Sequence, residues 1–385
     1  MAEPIRILHV LGGVGLGGAE SRIMDIYRHI DKDKVQFDFL IHQTKKGYYE
    51  EEIEKLGGRI YRVPRFKLYN ILTYRKALRE FFNSSQRVDN ANRRFASSSR
   101  RLEVVHGHMT STASIYLPIA KKCGVPVTIA HARSAGVDKG LKGVITRLLR
   151  RPLRRKCDHM FACSMLAAKA VFGENNAKNG RVTIVPNAID AKLFMYNEEI
   201  RNRMRKKLSL EDKFVIGHVG RFHYAKNHEY LLAVFGEIAK QRENAHLLLL
   251  GEGERMEEMK EKAVAFGIAD KVLFAGNQKE VWDYYQAMDF FLFPSRFEGL
   301  PGTVVEAQAA GLCCLISDAI AEEVKITKLV TAFSIEEKPE KWAEYVLTHD
   351  KYERKSRYEQ IAAAGFDVKA QTKWYEQFYL SGRLS

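Results

Sequence analysis

The sequence predicts two α/β domains, each a parallel sheet covered by helices. Three observations carry this expectation. A chain of 385 residues is long enough to bury two cores. Apolar strand patterns and helix patterns alternate from end to end, as they do where helices form the crossovers of a parallel sheet. The series then restarts near Lys213, after Pro186-Asn187-Ala188-Ile189-Asp190 and the charged run 197–213. The expected division is 1–188, 189–366, and an aromatic helical segment, 367–385, packing back on the first domain.

Taken in order, Ile5–Leu11 is an apolar run closed by glycines, hence a buried strand, and 18–30 carries apolar residues at helical spacing. Short runs rich in apolar residues, bounded by polar turns, predict further buried strands at 37–41, 104–107, 126–130, 159–163 and 182–185. In the second half, strands are expected at 214–219, 246–250, 272–275, 290–293 and 314–317. Helices are expected at 227–242, 255–266 and 281–288. The stretch 83–101 is rich in Ser, Asn and Arg and almost without apolar periodicity. It is expected to be a mobile surface excursion, with an anion-binding arm as the alternative.

Composition excludes some classes. No apolar run is long enough to cross a bilayer, and the start of the chain lacks the features of a secretory signal. Five cysteines without a C-x-x-C pair suit a reduced cytoplasm and offer no zinc site. The net charge of +15 favours an anionic partner. In 147–156, arginines interleave with leucines, which fits a helix lying on an anionic membrane face and equally a solvated basic helix end.

The most informative segment is Glu298-Gly299-Leu300-Pro301-Gly302-Thr303-Val304-Val305-Glu306. Pro301 suits the first turn of a helix, and that helix start offers free N–H groups and a positive dipole end to a phosphate. Glu298 and Glu306 then stand on either side of it. Arg221 and Lys226 flank a strand-to-helix loop in the second half and could neutralise a diphosphate. Gly17 and Gly18 close a glycine-rich loop after the first strand. Gly13, Gly15 and Gly18 match G-x-G-x-x-G, but the second strand ends Ile41-His42-Gln43-Thr44 without the carboxylate a dinucleotide ribose requires. His106-Gly107-His108 ends another strand, where His108 could donate a hydrogen bond to a sugar or acceptor. No further ligands lie at zinc or iron spacing, so no metal site is expected there. Asn277, at a fourth strand end, could present backbone groups to a nucleobase.

As an ordered set, Gly17-Gly18-Ala19-Glu20, His106-Gly107-His108, Pro186-Asn187-Ala188-Ile189-Asp190, Gly220-Arg221 with Lys226, and Glu298-Gly299-Leu300-Pro301 with Glu306 resemble family 4 retaining glycosyltransferases. The runs at 217–223 and 305–309 resemble bacterial exopolysaccharide and capsule transferases of the EpsF type. The resemblance implies the B-type fold, two Rossmann-like domains facing across a cleft. It implies that Arg221 and Lys226 hold the donor diphosphate and that Glu306 holds the ribose. Glu298 with Gly299, Leu300, Pro301, Gly302 and Thr303 orients the donor sugar. Gly17 and Gly18 let the first domain approach the phosphates, His108 lies near the reacting sugar, and Asn277 lies near the base. It implies no metal and no cofactor beyond the nucleotide-sugar substrate. His131-Ala132-Arg133-Ser134 departs from the pattern of polysaccharide-building relatives, which leaves the acceptor contacts open.

The expected function is a retaining transfer of sugar from a nucleotide donor, with uridine favoured, to a saccharide acceptor in cell-surface polysaccharide synthesis. The acceptor is expected to be lipid-linked at the inner membrane face, with 147–156 docking there. The rivals are a transferase for a small soluble acceptor such as a sugar or inositol phosphate, and a non-catalytic nucleic-acid-binding protein. The second rival lacks any recognisable nucleic-acid module, so no nucleic acid is expected as a partner.

Overall fold

In the computed structural model, residues 3–86, 101–136 and 140–381 are described, and the chain divides into two compact units. Unit one is Met1–Asn187 with Val368–Ser385; unit two is Ala188–Asp367. Unit one runs β1 (Ile5–Leu11), α1 (Gly18–His29), β2 (Val35–Ile41), α2 (Glu50–Lys55), β3 (Arg59–Arg62), α3 (Ile71–Gln86), β4 (Leu102–Gly107), α4 (Ala113–Lys122), β5 (Val127–Ala132), α5 (Gly140–Arg150), β6 (His159–Ala162), α6 (Met165–Phe172), α7 (Glu174–Lys178) and β7 (Val182–Ile184). Unit two runs α8 (Glu198–Lys207), β8 (Phe214–Val219), α9 (His228–Gln241), β9 (Ala245–Leu250), α10 (Met256–Ala265), β10 (Val272–Gly276), α11 (Val281–Ala287), β11 (Phe290–Phe293), α12 (Gly302–Ala309), β12 (Cys313–Ser317), β13 (Val330–Phe333), α13 (Pro339–Thr348) and α14 (Tyr358–Ala363). Finally α15 (Val368–Ser381) packs on α1 and β2 of unit one.

Among the described residues, each unit holds one parallel sheet, of order β3-β2-β1-β4-β5-β6-β7 in unit one and β10-β9-β8-β11-β12-β13 in unit two. Both orders reverse beside their first central strand. In unit one the chain leaves β1 toward β2, then returns to lay β4 on the other side; in unit two β8 is flanked by β9 and β11 in the same way. In such sheets, ligands bind outside the carboxyl ends of the strands at the point of reversal. That point lies between β1 and β4 in unit one, and between β8 and β11 in unit two.

The cores explain the apolar runs. Ile7, Phe37, Phe39, Ile129 and Phe161 of the first sheet bury against Val368, Tyr375, Phe378 and Tyr379 of α15. Ile216, Leu247, Leu249, Phe290 and Leu292 bury against Leu231 and Phe235 of α9 and Trp342 of α13. At one edge of the first sheet, Asp38 accepts a hydrogen bond from Arg6 Nε at 2.7 Å and another from the backbone N–H of Arg59 at 3.0 Å, which ties β1, β2 and β3 together.

Some expectations need correction. The charged run 197–213 is not a linker: it forms α8, capped by Asn197, whose side chain accepts from the N–H of Ile200 at 2.9 Å. From that helix Arg205 donates to Asp289 Oδ2 at 3.1 Å, docking it on unit two. Residues 83–86 end α3, while 87–100 lie outside the described residues. Among the described residues no helix is long and apolar enough to cross a membrane.

Candidate functional site

Unit two places its polar residues at the point of reversal. The loop after β8 carries Arg221 and Lys226, the loop after β11 carries Glu298, and α12 begins beside it at Gly302. Glycines make this close packing possible. A Cβ on Gly220 would lie 2.8 Å from His218 Nε2. Gly251, at φ +126, would place one 2.2 Å from the carbonyl oxygen of Gly220. Neither site accepts a larger residue without displacement, and Gly251 also uses backbone space that L side chains rarely enter.

Lys226 is the most enclosed cation of the set. Its side chain is 17% exposed, its Nζ lies 2.7 Å from Glu298 Oε1, and the Phe293 ring lies beneath it at 4.5 Å. Arg221 is different: 70% exposed, it pairs with Glu254 at 3.1 Å on the same rim. The Glu254 carboxyl is held below its ordinary range chiefly by its own backbone N–H and then by Arg221. Under the loop, His218 donates its Nδ1–H to the carbonyl of Leu292 at 2.8 Å, so its buried Nε2 is a lone pair with no partner among the described residues. Burial and Lys226 push the His218 pKa down to about 3.

Glu306 is 4% exposed and accepts a hydrogen bond from Tyr285 Oη at 2.9 Å. Pro301 is not inside the helix, as the sequence suggested, but is the residue that precedes it, with φ −72 and ψ 112. From that position the Pro301 carbonyl accepts from the N–H of Val304 at 3.2 Å, closing the first turn of α12. Thr303 adds a buried hydroxyl in this first turn with no partner among the described residues. Gly299 and the buried Leu300 lie in the loop before α12, and Gly302 is its first residue. Asn277 is exposed directly after β10, whose terminal Gly276 carbonyl accepts from the N–H of Gly251 at 2.8 Å.

Unit one brings the glycine loop and His106-Gly107-His108 to its own point of reversal. Gly17 precedes α1, and a Cβ there would evict the Glu20 carboxylate, which lies 2.1 Å from that position; Gly18 has open space. Where a dinucleotide site would have an acid, His42 donates Nδ1–H to the carbonyl of Leu11 at 3.0 Å and accepts from Tyr74 Oη at 2.8 Å.

His108 does not stand alone. His9, His106, His108 and His131 form a buried ladder across β1, β4 and β5. Arg133 donates its Nε–H to His108 Nδ1 at 3.3 Å. A guanidinium cannot accept, so His108 carries its proton on Nε2 and donates to His9 Nδ1 at 3.0 Å. His9 then carries its proton on a buried Nε2 with no partner among the described residues. His106 bonds Tyr379 Oη of α15 at 2.8 Å through Nδ1, and His131 Nδ1 at 2.9 Å through Nε2. Burial holds all four rings neutral, with Arg133 adding to the effect; His9 is pushed to about 3. Arg133 also donates to Asn187 Oδ1 at 2.8 Å.

Two sequence expectations change here. Both His108 nitrogens are engaged within unit one, so contact with a sugar requires one of those bonds to be exchanged. His106 and His108 also do have further imidazoles beside them, because β1 delivers His9 from far away in sequence. The ring nitrogens of His9, His106 and His108 lie within 4.8 Å of one another. A cation placed there would break the ladder and face Arg133.

Two family models match the chain: Glycosyltransferase Family 4 over residues 16–193, and Glycosyl transferases group 1 over residues 200–364. EpsF of Bacillus subtilis (strain 168) is 34% identical over 372 residues, covering 94% of this chain and 93% of EpsF. The chain belongs to the family 4 glycosyltransferases. The capsular polysaccharide biosynthesis glycosyltransferase CapH of Staphylococcus aureus is 24% identical over 395 residues, covering 99% of this chain and 100% of CapH. An Escherichia coli UDP-Gal:alpha-D-GlcNAc-diphosphoundecaprenol alpha-1,3-galactosyltransferase is 25% identical over 248 residues, 61% of this chain and 63% of that one. Among solved structures, Anabaena HepE in complex with UDP-glucose superposes with a TM-score of 0.73 at 14% identity, covering 98% of this chain and 99% of that one. At that identity the likeness shows the fold alone, two α/β domains of the GT-B class. In this glycosyltransferase, sequence reasoning missed His9, Arg133, Glu254 and Tyr285. Only Arg133 had a signal, the departure noted at 131–134.

Proposed function

We propose that this glycosyltransferase moves a sugar, with retained configuration, from a uridine diphosphate sugar to a saccharide acceptor during assembly of a cell-surface polysaccharide. The observation that carries the reading is the enclosed Lys226, ion-paired to Glu298 in the loop that leads into α12. Lys226 and Arg221 would receive the diphosphate, together with backbone N–H groups at the start of α12, Gly302 and Thr303, at the positive end of its dipole. Glu298, released from Lys226 as the diphosphate arrives, would accept hydroxyls of the donor sugar. Glu306, oriented by Tyr285, would hold the ribose, with backbone near Asn277 at the base. Gly17 and Gly18 would serve the phosphates and His108 the reacting sugar.

The bond from the anomeric carbon to the diphosphate oxygen breaks. The acceptor oxygen bonds that carbon on the same face, and its proton passes to the departing phosphate. Neither carboxylate is left as a covalent nucleophile, since Glu298 would be committed to the donor sugar's hydroxyls and Glu306 is bonded to Tyr285 and would hold the ribose. With two cationic side chains and a helix start to balance the charge, the reaction needs no metal and no cofactor. The acceptor is read as a lipid-linked saccharide at the inner membrane face, in keeping with the diphosphoundecaprenol substrate in the E. coli relative's name. The basic stretch 147–156 would touch the membrane through the exposed Arg147, Arg151, Arg154 and Arg155. Arg150 is excluded from that role: it is partly buried and donates to Thr110 Oγ1 at 3.1 Å.

The test is a thermal-shift panel of UDP-, GDP- and ADP-sugars, because a ligand that binds only the native state raises its stability. UDP-sugars should raise the melting temperature most. No shift with any nucleotide sugar would end the reading. Transfer to a water-soluble acceptor without lipid would favour a soluble substrate instead.

A further inference from the structure

Ahead of α3, a 3-10 turn, Leu68–Asn70, projects three large apolar side chains into solvent together with the first turn of the helix: Leu68 is 58% exposed, Tyr69 82% and Leu72 81%. Leu68 and Leu72 are four residues apart and Tyr69 and Leu72 three, spacings that bring side chains to one face of a helical segment. Scattered exposed leucines are ordinary, but a contiguous cluster this open marks an interaction surface. Its surroundings are mostly basic, the exposed Glu80, 3.9 Å from Lys76, being the acidic residue on the same helix. Arg65, Lys67, Arg75, Lys76 and Arg79 are all exposed, and no Asp or Glu occurs between Glu54 and Glu80.

The cluster lies on the working edge of unit one. Tyr74, one turn further along α3, donates to His42 at the carboxyl end of β2 and interacts with Thr112. Arg150, at the end of α5, donates to Thr110. Thr110 and Thr112 both belong to the β4–α4 connection that follows His108, and α4 packs between α3 and α5. On α5, Val144 is 43% and Leu148 61% exposed, beside the exposed Arg147 and Arg151. Two apolar-and-basic surfaces therefore flank the connection that carries His108.

We propose that Leu68, Tyr69 and Leu72 insert into an anionic lipid bilayer, with the surrounding cations on its headgroups and the α5 face as a second contact. The chemistry selects this occupant. Apolar tips ringed by Lys and Arg match the acyl and phosphate layers of such a surface, with tyrosine suited to the boundary between them. A second copy of this chain would bring the same cluster of cations against itself, which like charges oppose. The purpose, though not the binding, rests on the lipid-linked acceptor read above: docking here would hold the β4–α4 connection at the membrane that holds the substrate.

The experiment compares the parent protein with Leu68→Ser/Leu72→Ser and with Arg75→Glu/Lys76→Glu. Each is mixed with phosphatidylcholine vesicles with or without phosphatidylglycerol. Co-sedimentation of the parent should require the anionic lipid, and each double variant should weaken it by about tenfold or more. Tyr69→Trp should gain emission that brominated lipid quenches. Undiminished vesicle binding by both double variants overturns the proposal, as does parent binding equally strong on neutral vesicles. So does a dimer in the parent that only the serine variant dissolves. A UDP-sugar thermal shift on the same samples keeps the readings apart, since stabilisation by donor without vesicle binding removes docking alone, and vesicle binding without donor stabilisation removes the transferase reading alone.

Discussion

Replacing Lys226 by methionine keeps the length of the side chain and removes its charge. The Nζ lies 2.7 Å from Glu298 and is 17% exposed, so the charge works in a partly dehydrated setting. A unit charge about 4 Å from a phosphate oxygen is worth about 4 kcal/mol at an effective dielectric of about 20, and about 1 kcal/mol in bulk water. The enclosure places Lys226 nearer the first figure, and loss of one preorganised group facing developing charge costs about 2.7–4 kcal/mol in comparable sites. Turnover should therefore fall by about 10²–10³-fold. Glu298, with its side chain 21% exposed, can hydrate once its partner is gone, so the fold should survive. The assay is release of UDP from donor into water, which needs no acceptor, with the melting temperature as a control for folding. A folded variant within about threefold of parent turnover would refute the electrostatic role.

Acidification should destabilise unit one. His9, His106, His108 and His131 have pKa values below their ordinary value because burial disfavours their charged forms. The unfolded chain thus binds more protons below about pH 6.5, and stability is complete above that pH and lost as pH falls toward the folded values. Each such histidine contributes about 1.4 kcal/mol of loss by about pH 5.5, measurable as a falling urea midpoint. Arg133→Gln should raise the pH at which that decline levels off, because its charge helps hold the ladder neutral; an unchanged levelling point would show that the field is not felt. Gly251→Ala forces a Cβ against the Gly220 carbonyl and should cost at least about 2 kcal/mol in thermal unfolding, with donor affinity falling in parallel. Tyr285→Phe removes one hydrogen bond to the buried Glu306 and should weaken UDP binding by about tenfold in calorimetry. Chelation should leave turnover intact, and activity lost to chelator and restored by a divalent ion would contradict the metal-free mechanism.

The interior strands were legible because they bury both faces and so spell unbroken apolar runs; Phe214–Val219 and Phe290–Phe293 have the bounds read from sequence. The edge strands were not. Arg59–Arg62 reads Arg-Ile-Tyr-Arg, with no buried residue, and Val330–Phe333 is likewise only partly covered, so neither carries the expected signal. Helix α8 hid for a related reason: it docks through Arg201 and Arg205 on Asp289 rather than through an apolar stripe. Motif loops singled out Arg221, Lys226, Glu298 and Glu306 as candidates, since glycine and proline fix such loops locally. The pairing of Lys226 with Glu298 was invisible, because their loops meet only once β8 and β11 lie side by side. The same holds for His9, which β1 places against His108, and for Tyr285, which reaches Glu306 from α11.

The return of α15 has a consequence for biosynthesis. Val368, Tyr375, Phe378 and Tyr379 belong to the first core, and Tyr379 is bonded to His106. These residues leave the ribosome after all of unit two has been made. The early-translated sheet must wait, with one flank uncovered, while the later and contiguous unit can close as soon as it emerges. The order of maturation thus runs opposite to the order of translation, and a nascent chain halted just after Asp367 would expose to chaperones the surface that Trp374 and its neighbours cover in the finished molecule.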